Sequence, residues 1–241
     1  NVLDVAVNAG LQRFVFLSTI GTIAVGDGGA TVDEETAFNW AGKGGPYIES
    51  RRQAEDLVLT YARERGLPAV AMCVSNPYGP PDWQPKQGAL VAMAAFGKLP
   101  VYVRGVGSEV VGIDDAADAL IRAAERGRIG ERYIVSERYM SQKEMFTTAA
   151  EAVGARPPRF GIPMAPLYVL GWLAGMSNRL FGTDFPMNLT AARLMWLTSP
   201  ADHSKATLEL GWKPAPTAES IRRAAQFYVD RKNRNEKVID L

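Results

Sequence analysis

Two side chains in the segment PYIESRRQAE, Tyr47 and Arg51, are four residues apart in a stretch whose pattern predicts a helix. Residues at i and i+4 share one face of a helix, so the phenol and the guanidinium are expected to be neighbours. A tyrosine can act as a general acid or base when a nearby cation lowers its pKa toward the working pH. The same spacing is common on ordinary amphipathic helices. The pair alone is therefore consistent with either a catalytic site or a plain helix surface.

Further polar groups occur where two predicted strands end. Ser18 and Thr19 end the apolar run LQRFVFLST, and Ser75 and Asn76 close the run AVAMCVSN. In a doubly wound parallel sheet, ligands bind at the carboxyl ends of the strands. We therefore expect these groups to lie near Tyr47, with Thr19 or Ser18 able to hydrogen-bond a substrate oxygen. Capping of a following helix is the alternative role for such hydroxyls.

The composition excludes several function classes. The chain has 241 residues and a formal net charge of +1, which gives no indication of a nucleic-acid-binding surface. A single cysteine, Cys73, excludes an internal disulfide and a cysteine zinc cluster, and it fits a reducing compartment such as the cytoplasm. A single histidine, His203, argues against a Ser-His-Asp hydrolase and a histidine-rich metal site. No metal is expected.

Helical and apolar strand-like segments alternate along the first half of the chain. A helix ending at Gly10 is followed by the first strand, a helix over about Tyr47–Arg65 and a second strand, Ala69–Ser75. Nearly continuous apolar strands between helices are typical of a parallel sheet that is covered on both faces. This order predicts an α/β fold.

The second half adds more helices. A short strand precedes a helix that opens at Asp114 and Asp115, the strand ERYIVSE follows, and Ser141 begins a Ser-x-x-Glu capping box. The C-terminal third is predicted to be helical and to end in a solvated basic tail that includes Arg231. The apolar stretch 162–182 contains two prolines and two internal glycines, so it favours a buried or interfacial helix over a stable membrane span.

Five segments resemble, in order, the extended short-chain dehydrogenase/reductase superfamily. They are NVLDVAVNAGLQRFVFLST, PYIESRRQAEDLV, GLPAVAMCVSNPYGPPD, VVGIDDAADALIRAAERGRIGERYIVSE and SKATLELGWKP, and together they cover essentially the whole chain. The sequences of these segments are most similar to the branch that contains dihydroflavonol-4-reductase-like enzymes, 3β-hydroxysteroid dehydrogenase-like enzymes and hopanoid-associated sugar epimerases. No single motif is specific, but five in the right order make the resemblance strong.

The resemblance implies a Rossmann-type doubly wound parallel sheet, incomplete at the N-terminus, with a smaller, mostly helical substrate-binding region. Residues 1–78 correspond to the C-terminal part of the dinucleotide-binding domain. Residues 79–241 correspond mainly to the substrate-binding region, and 108–137 return to the sheet.

The resemblance also implies the site residues. Thr19, Tyr47 and Arg51 stand at the positions of the family's catalytic Ser/Thr, Tyr and Lys, with Tyr47 exchanging a proton with the substrate oxygen and Arg51 holding the nicotinamide ribose. The segment Val74–Pro77 matches the loop against the nicotinamide end of NAD or NADP. The implied cofactor-binding residues are Ser18, Tyr47, Arg51, Val74, Ser75, Asn76 and Pro77.

Two departures from the family pattern stand out. Arg51 replaces lysine; it keeps the positive charge but cannot release a proton, so a proton relay through lysine is lost. The Gly-x-x-Gly-x-x-Gly phosphate loop and the residue that selects NAD or NADP are absent from the sequence. We therefore expect an upstream segment to precede Asn1 in the natural protein.

The function that the resemblance implies is an NAD(P)-dependent oxidoreductase. It would transfer a hydride between nicotinamide and a ketone or secondary alcohol of a small hydrophobic molecule, and the family also implies a homodimer through the helix of Tyr47. One alternative is a nucleotide-sugar epimerase or dehydratase that regenerates its cofactor. Another, favoured by Arg51, is a non-catalytic cofactor-binding protein.

Overall fold

The structure, a computed structural model, describes residues 2–85, 88–166, 169 and 198–238. The chain forms two compact units. The first consists of Asn1–Pro77, Glu109–Arg138 and Ser199–Ala215, and the second of Tyr78–Ser108, Tyr139–Thr198 and Pro216–Leu241.

The described elements follow the predicted alternation. The strands are β1 (Phe14–Thr19), β2 (Ala69–Val74), β3 (Asn76–Tyr78), β4 (Val101–Val103), β5 (Gly107–Gly112), β6 (Arg132–Val135), β7 (Arg138–Ser141) and β8 (Phe160–Ile162). The helices are α1 (Val2–Asn8), α2 (Gly45–Arg65), α3 (Ala89–Ala95), α4 (Ile113–Arg126), α5 (Gln142–Ala152), α6 (Ser204–Leu210) and α7 (Thr217–Asn233).

A parallel sheet in the order β1-β2-β6 is the centre of the first unit. Its register pairs Phe14 with Ala69 at one end and Thr19 with Val74 at the other. Every residue of β2 is buried, because the strand is flanked by a neighbour on each side and its side chains are apolar on both faces. The prediction of an α/β fold with a parallel sheet is confirmed.

Helices cover both faces of this sheet. On one face Phe14 and Phe16 pack against Ala6 of α1 and against Val58 and Ala62 of α2. On the other face the side chains from β2 and β6 pack against α4, α6 and the residues after α6, in a cluster that contains Val70, Met72, Ala119, Tyr133, Leu210 and Trp212. Each face is thus closed by helical side chains.

The burial of β1 differs from the prediction. The sequence predicts a buried strand, but the Leu17 side chain is 53% exposed and most of its neighbours in β1 are only partly buried. In the described sheet β1 is an outer strand, so the helices that cover β2 enclose it less completely.

The segment Ser199–Ala215 packs in the first unit, although it falls within the range 79–241 that the sequence assigns mainly to substrate binding. Trp212 is fully buried there, and its indole N–H donates to the carbonyl of Asp115 at 2.9 Å. Trp212 and the amide of Ala215, which donates to the Asp115 carboxylate at 3.1 Å, therefore anchor this returning segment to the start of α4.

The described part of the second unit is built around α3, α5 and α7. Helices α3, α5 and α7 pack against one another, and the short strands β4 and β8 pair in parallel. Ser141 caps α5 as predicted, since its hydroxyl accepts from the amide of Glu144 at 3.2 Å. The predicted helix within 162–182 lies almost wholly outside the described residues, as does the stretch 183–197 of the C-terminal third that is predicted to be helical.

The prediction of a solvated basic tail is wrong for Arg231. Its side chain is buried, and it donates to Glu236 at 3.0 Å and to the carbonyl of Trp83 at 2.9 Å. The guanidinium also lies over the ring of Trp83, 5.0 Å from its centroid. Arg231 therefore holds the residues after α7 in place.

Within the described ranges, no helix has both the length and the apolar composition that crossing a bilayer requires.

Candidate active site

The carboxyl ends of the parallel strands bring together the polar segments that the sequence singles out. Thr19 is paired in register with Val74, and Val74 with Val135. The amide of Ser75 then donates to the carbonyl of Val135 at 2.9 Å, which fixes the start of the segment after β2. The predicted proximity of Thr19 to the Val74–Pro77 segment is present in the structure.

Thr19 also begins a turn. The chain leaves β1 into a short 3₁₀ helix, Ile20–Thr22, and the Thr19 hydroxyl accepts from the amide of Gly21 at 3.3 Å. The capping role that the sequence left open is therefore realised. This bond uses a lone pair of the oxygen, and the O–H of Thr19 donates to no other described residue, so it remains able to donate to a ligand.

Helix α2 lies directly against this turn. A Cβ atom at Gly21 would be 2.5 Å from the Cδ1 atom of Ile48, so a glycine permits the close approach of the helix. Four residues further along α2, the Arg52 guanidinium donates to the carbonyl of Thr22 at 3.0 Å. The first turns of α2, which carry Tyr47, are thus fixed beside the turn that carries Thr19.

The side chain of Tyr47 is largely exposed to solvent. It is 58% exposed, and its hydroxyl has no hydrogen-bond partner among the described residues. The backbone carbonyl of Tyr47 accepts from the Ser50 hydroxyl at 2.9 Å. The phenol is therefore accessible to a ligand.

Arg51 is tied to β1. Its Nη2 atom donates to the carbonyl of Leu17 at 2.8 Å, and its guanidinium carbon lies 6.0 Å from the centre of the Phe16 ring. Its Nε atom is buried and has no hydrogen-bond partner within the described part of the chain. The cation is thus held one helical turn from Tyr47, with part of its donor set still unused.

Ser18 is placed differently from Thr19. Its side chain is buried and points to α2, where its hydroxyl donates a hydrogen bond to Glu55. Since side chains alternate along a strand, Ser18 and Thr19 point to opposite faces of the sheet. The Ser18 hydroxyl is bonded inside the protein, and its predicted part in cofactor binding stays a prediction.

Glu55 is the residue that sequence reasoning missed. Its side chain is fully buried and accepts from the hydroxyls of Ser18 and Thr22, the latter at 2.7 Å. Cys73 Sγ and Arg132 Nη1 each lie 3.3 Å from it, and Arg52 Nη1 lies 3.9 Å from it. Burial, together with the charge of Glu55, raises the pKa of the Cys73 thiol well above its ordinary value.

A signal for Glu55 was present in the sequence. It occupies the inward face of α2 at helical spacing with two buried apolar residues, Ile48 seven positions before it and Ala62 seven positions after it. A carboxylate on an apolar face must be paired and hydrogen-bonded to be tolerated. The partners come from three other segments, so they could not be read from the helix alone.

The segment after β2 contains an unpaired hydroxyl. Ser75 is buried, and its Oγ atom has no hydrogen-bond partner among the described residues. The next side chain, Asn76, donates to the carbonyl of Glu109 at 3.0 Å, while Val74 is buried and Pro77 is exposed. Buried hydroxyls are usually hydrogen-bonded, so the Ser75 Oγ atom is a candidate contact for a ligand.

The model of the NAD dependent epimerase/dehydratase family matches residues 1–136, which are more than half of the 241-residue chain. The chain belongs to this family. The resemblance to extended short-chain dehydrogenases/reductases is thereby confirmed. The expectations of an enzyme and of NAD or NADP as cofactor agree with the family.

Named relatives include both reductases and sugar-nucleotide enzymes. A putative dihydroflavonol 4-reductase from Synechocystis sp. is 24% identical over 233 residues, which are 95% of this chain and 67% of that protein. A dTDP-glucose 4,6-dehydratase from Neisseria gonorrhoeae is 28% identical over 196 residues, 79% of this chain and 52% of that protein. The chain thus spans about two thirds of the first relative and about half of the second.

Solved structures share the fold. The crystal structure of gox2253 has a TM-score of 0.82 and 28% identity, covering 98% of this chain and 71% of that one. A nucleoside-diphosphate-sugar epimerase from Pseudomonas aeruginosa has a TM-score of 0.77 and 22% identity, covering 95% of this chain and 70% of that one. Together with the parallel sheet, these neighbours confirm the Rossmann-type fold.

Proposed function

We propose that the site formed around Thr19 and Tyr47 belongs to an NAD(P)-dependent oxidoreductase that interconverts a ketone and a secondary alcohol on a small, hydrophobic molecule. The observation that carries this proposal is the close packing of α2 on the turn after β1. The packing of Ile48 at Gly21 holds α2 beside the turn that carries Thr19, and the same helix carries Tyr47, whose hydroxyl has no partner among the described residues. Two hydroxyls from different segments can thus act on one substrate oxygen.

The proton chemistry is assigned to these two residues. In the reducing direction the Thr19 O–H donates a hydrogen bond to the carbonyl oxygen and orients it, while the Tyr47 hydroxyl transfers a proton to that oxygen. In the oxidising direction Tyr47 takes the proton back from the alcohol. Bound NAD(P) supplies or accepts the hydride at the carbon atom.

Arg51 serves as the cation of the site. Its hydrogen bond to Leu17 fixes the guanidinium on β1, four residues from Tyr47 on the same helix face. The donors of Arg51 that are not bonded to Leu17 can bind ribose hydroxyls. Arg51 does not release a proton, so proton exchange with solvent proceeds without it.

The residues present fit the nicotinamide end of NAD(P). The unpaired Ser75 hydroxyl and the buried Nε atom of Arg51 are donors that lack protein partners within the described residues. Ser75 follows Val74, which is paired with Thr19, so the proposed cofactor contact and the substrate-orienting hydroxyl are on neighbouring strands. The residues that would bind the pyrophosphate are not identified in this sequence.

A second candidate is a nucleotide-sugar epimerase or dehydratase. It is favoured by the relatives named dTDP-glucose 4,6-dehydratase, at 28% identity. Such an enzyme returns its hydride within each cycle. The apolar stretch 162–182 favours the hydrophobic substrate on sequence grounds alone.

A substrate screen distinguishes the two. The purified protein is incubated with a dihydroflavonol, a sterol, dTDP-glucose or UDP-glucose, each with oxidised and reduced NAD and NADP, while the absorbance of the reduced nicotinamide is followed and products are identified by mass. The proposal predicts stoichiometric change of the nicotinamide with a hydrophobic substrate. Sugar-nucleotide conversion without net change supports the second candidate, and cofactor binding with no conversion favours the non-catalytic alternative.

The cytoplasmic location and the homodimer through α2 belong to the same proposal. Sedimentation analysis tests the dimer.

A further inference from the structure

A single buried carboxylate contacts the chain on both sides of Thr19. Glu55 accepts from the hydroxyl of Ser18, the residue before Thr19, and from the hydroxyl of Thr22, three residues after it. The Thr22 hydroxyl also lies 2.7 Å from the carbonyl of Thr19. The turn that presents the Thr19 hydroxyl is therefore fixed at both ends from the same side chain of α2.

The same carboxylate connects the turn to the sheet. Cys73 of β2 donates to it, and Arg132 of β6 forms an ion pair with it at 3.3 Å. Arg52, on the same helix, forms a longer ion pair at 3.9 Å. A fully buried carboxylate is tolerated only when such partners satisfy it, and removing one partner leaves an unsatisfied group. The arrangement of Ser18, Thr22 and Glu55 is for this reason held in one geometry.

We propose that Glu55 is a positioning residue for the hydride-transfer site. Through Ser18 and Thr22 it sets the place of the Thr19 hydroxyl relative to α2, which carries Tyr47 eight residues earlier. Glu55 itself acts only on protein groups. The inference rests on the proposed function, because it assigns to Glu55 the alignment of the two hydroxyls used there.

Glu34 offers a matched control. It too is a buried carboxylate in the first unit, and it accepts from the amide of Ile134 at 2.7 Å. Within the described part of the chain, no hydrogen bond of Glu34 reaches the segment Ser18–Thr22. A role in stability alone would be shared by both glutamates, whereas a role in alignment would be specific to Glu55.

The test compares Glu55→Gln with Glu34→Gln in the purified protein. Unfolding in urea, the Kd of NADH and NADPH by fluorescence, and kcat and KM with a substrate from the screen are measured for both. We expect both variants to lose stability, but kcat to fall only in Glu55→Gln, by about 10- to 100-fold, as misalignment of reacting groups does. The Kd of the cofactor stays within about twofold, because the change concerns alignment rather than binding.

A second set of variants keeps the proposal testable if Glu55→Gln does not fold. Ser18→Ala combined with Thr22→Val removes the two hydroxyls but leaves the contacts of Glu55 with Cys73 and Arg132. We expect the same loss of kcat, and no further loss when Glu55→Gln is added, because the three residues act as one unit.

Several results would overturn the inference. They are an unchanged kcat in folded Glu55→Gln or in the hydroxyl double variant, an equal loss of kcat in Glu34→Gln, and strict additivity of the Glu55 and hydroxyl substitutions.

The outcome for Tyr47→Phe distinguishes failure of the positioning role from failure of the proposed function. If Tyr47→Phe is inactive and Glu55→Gln is fully active, only the positioning role fails. If Tyr47→Phe is fully active, or the wild type turns over no substrate, the proposed function fails and the inference with it.

Discussion

The Arg51 guanidinium donates a hydrogen bond to the carbonyl of Leu17 at 2.8 Å. This bond joins α2 to the strand that ends in Thr19, two residues further on. The arginine that replaces the family's lysine therefore bonds α2 to β1 in addition to carrying a positive charge. Its position explains how an arginine can be accommodated here: the planar group lies near the ring of Phe16 and uses one nitrogen to bond the strand.

Two substitutions at Arg51 separate the effect of its positive charge from the effect of its hydrogen bond to the Leu17 carbonyl. We expect Arg51→Lys to keep kcat within about tenfold of the wild type, because the charge remains, and to lose about 1 kcal/mol of unfolding free energy with the hydrogen bond to Leu17. Arg51→Met keeps similar bulk without charge and should lower kcat by about 100-fold. Steady-state kinetics and urea unfolding measure both effects. A large gain of activity in Arg51→Lys would show that arginine impairs the site, and wild-type activity in Arg51→Met would show that the charge has no catalytic role.

Ser75→Ala tests the unpaired hydroxyl. Because Ser75 Oγ has no partner among the described residues, its removal should leave the free energy of unfolding unchanged or slightly higher. If the hydroxyl binds NAD(P), the Kd for NADH should rise by about 2- to 10-fold, as expected for one hydrogen bond. Fluorescence titration with NADH is the measurement. A clear loss of stability with an unchanged Kd would assign the hydroxyl a structural role.

Trp212→Ala tests the return of the segment Ser199–Ala215 to the first unit. The variant should lose about 3–5 kcal/mol of unfolding free energy, because a fully buried indole and its bond to the Asp115 carbonyl are both removed. Leu208→Ala, four residues earlier, is the control: its side chain is 82% exposed and the change should stay within about 0.5 kcal/mol. Urea unfolding followed by circular dichroism measures both. Equal, small losses would contradict the packing of Trp212.

The substitution Glu109→Gln should change how the free energy of unfolding depends on pH. Burial raises the pKa of Glu109 above its ordinary value, although the Ser136 hydroxyl and the amide of Ala201 donate to it. The fold thus favours the protonated form, so the contribution of Glu109 to stability is present in acid and is lost as pH rises through the raised pKa. Glutamine stays neutral. The stability of Glu109→Gln relative to the wild type should therefore increase between about pH 4 and pH 7.

Urea unfolding across that range provides the measurement. Leu208→Ala, which retains every ionisable group, is the control, and its difference from the wild type should not depend on pH. A relative stability of Glu109→Gln that is constant or falls with rising pH would contradict the assignment.

The sequence was sufficient to predict the fold and the strand ends that lie together. The apolar runs ending in Thr19 and Ser75 predicted parallel strands, and the observed register brings Thr19 beside Val74 because the carboxyl ends of parallel strands share one edge of the sheet. The helix over about Tyr47–Arg65 was equally visible in the sequence, and in the structure it ends at Arg65 with Gly66 in the left-handed conformation of a helix C-terminus.

Long-range polar contacts were not visible in the sequence. Glu55 meets Ser18, Cys73 and Arg132, which lie 37, 18 and 77 positions away, and no local pattern relates them. Arg231 likewise looked like part of a solvated tail because its partner, the carbonyl of Trp83, is 148 positions away. Composition and periodicity indicate which faces are apolar, but the pairing of a buried charge depends on the assembled fold.

The substitution Tyr47→Phe tests the central claim most directly. The side chain is largely exposed and its hydroxyl has no partner among the described residues, so the variant should fold with a stability within about 0.5 kcal/mol of the wild type. The decisive measurement is the single-turnover rate of nicotinamide oxidation or reduction with a substrate from the screen, alongside the Kd for NADH. If Tyr47 is the acid and base, the rate should fall by at least about 100-fold while the Kd changes by less than about twofold. A folded Tyr47→Phe that turns over at the wild-type rate would contradict the proposed mechanism.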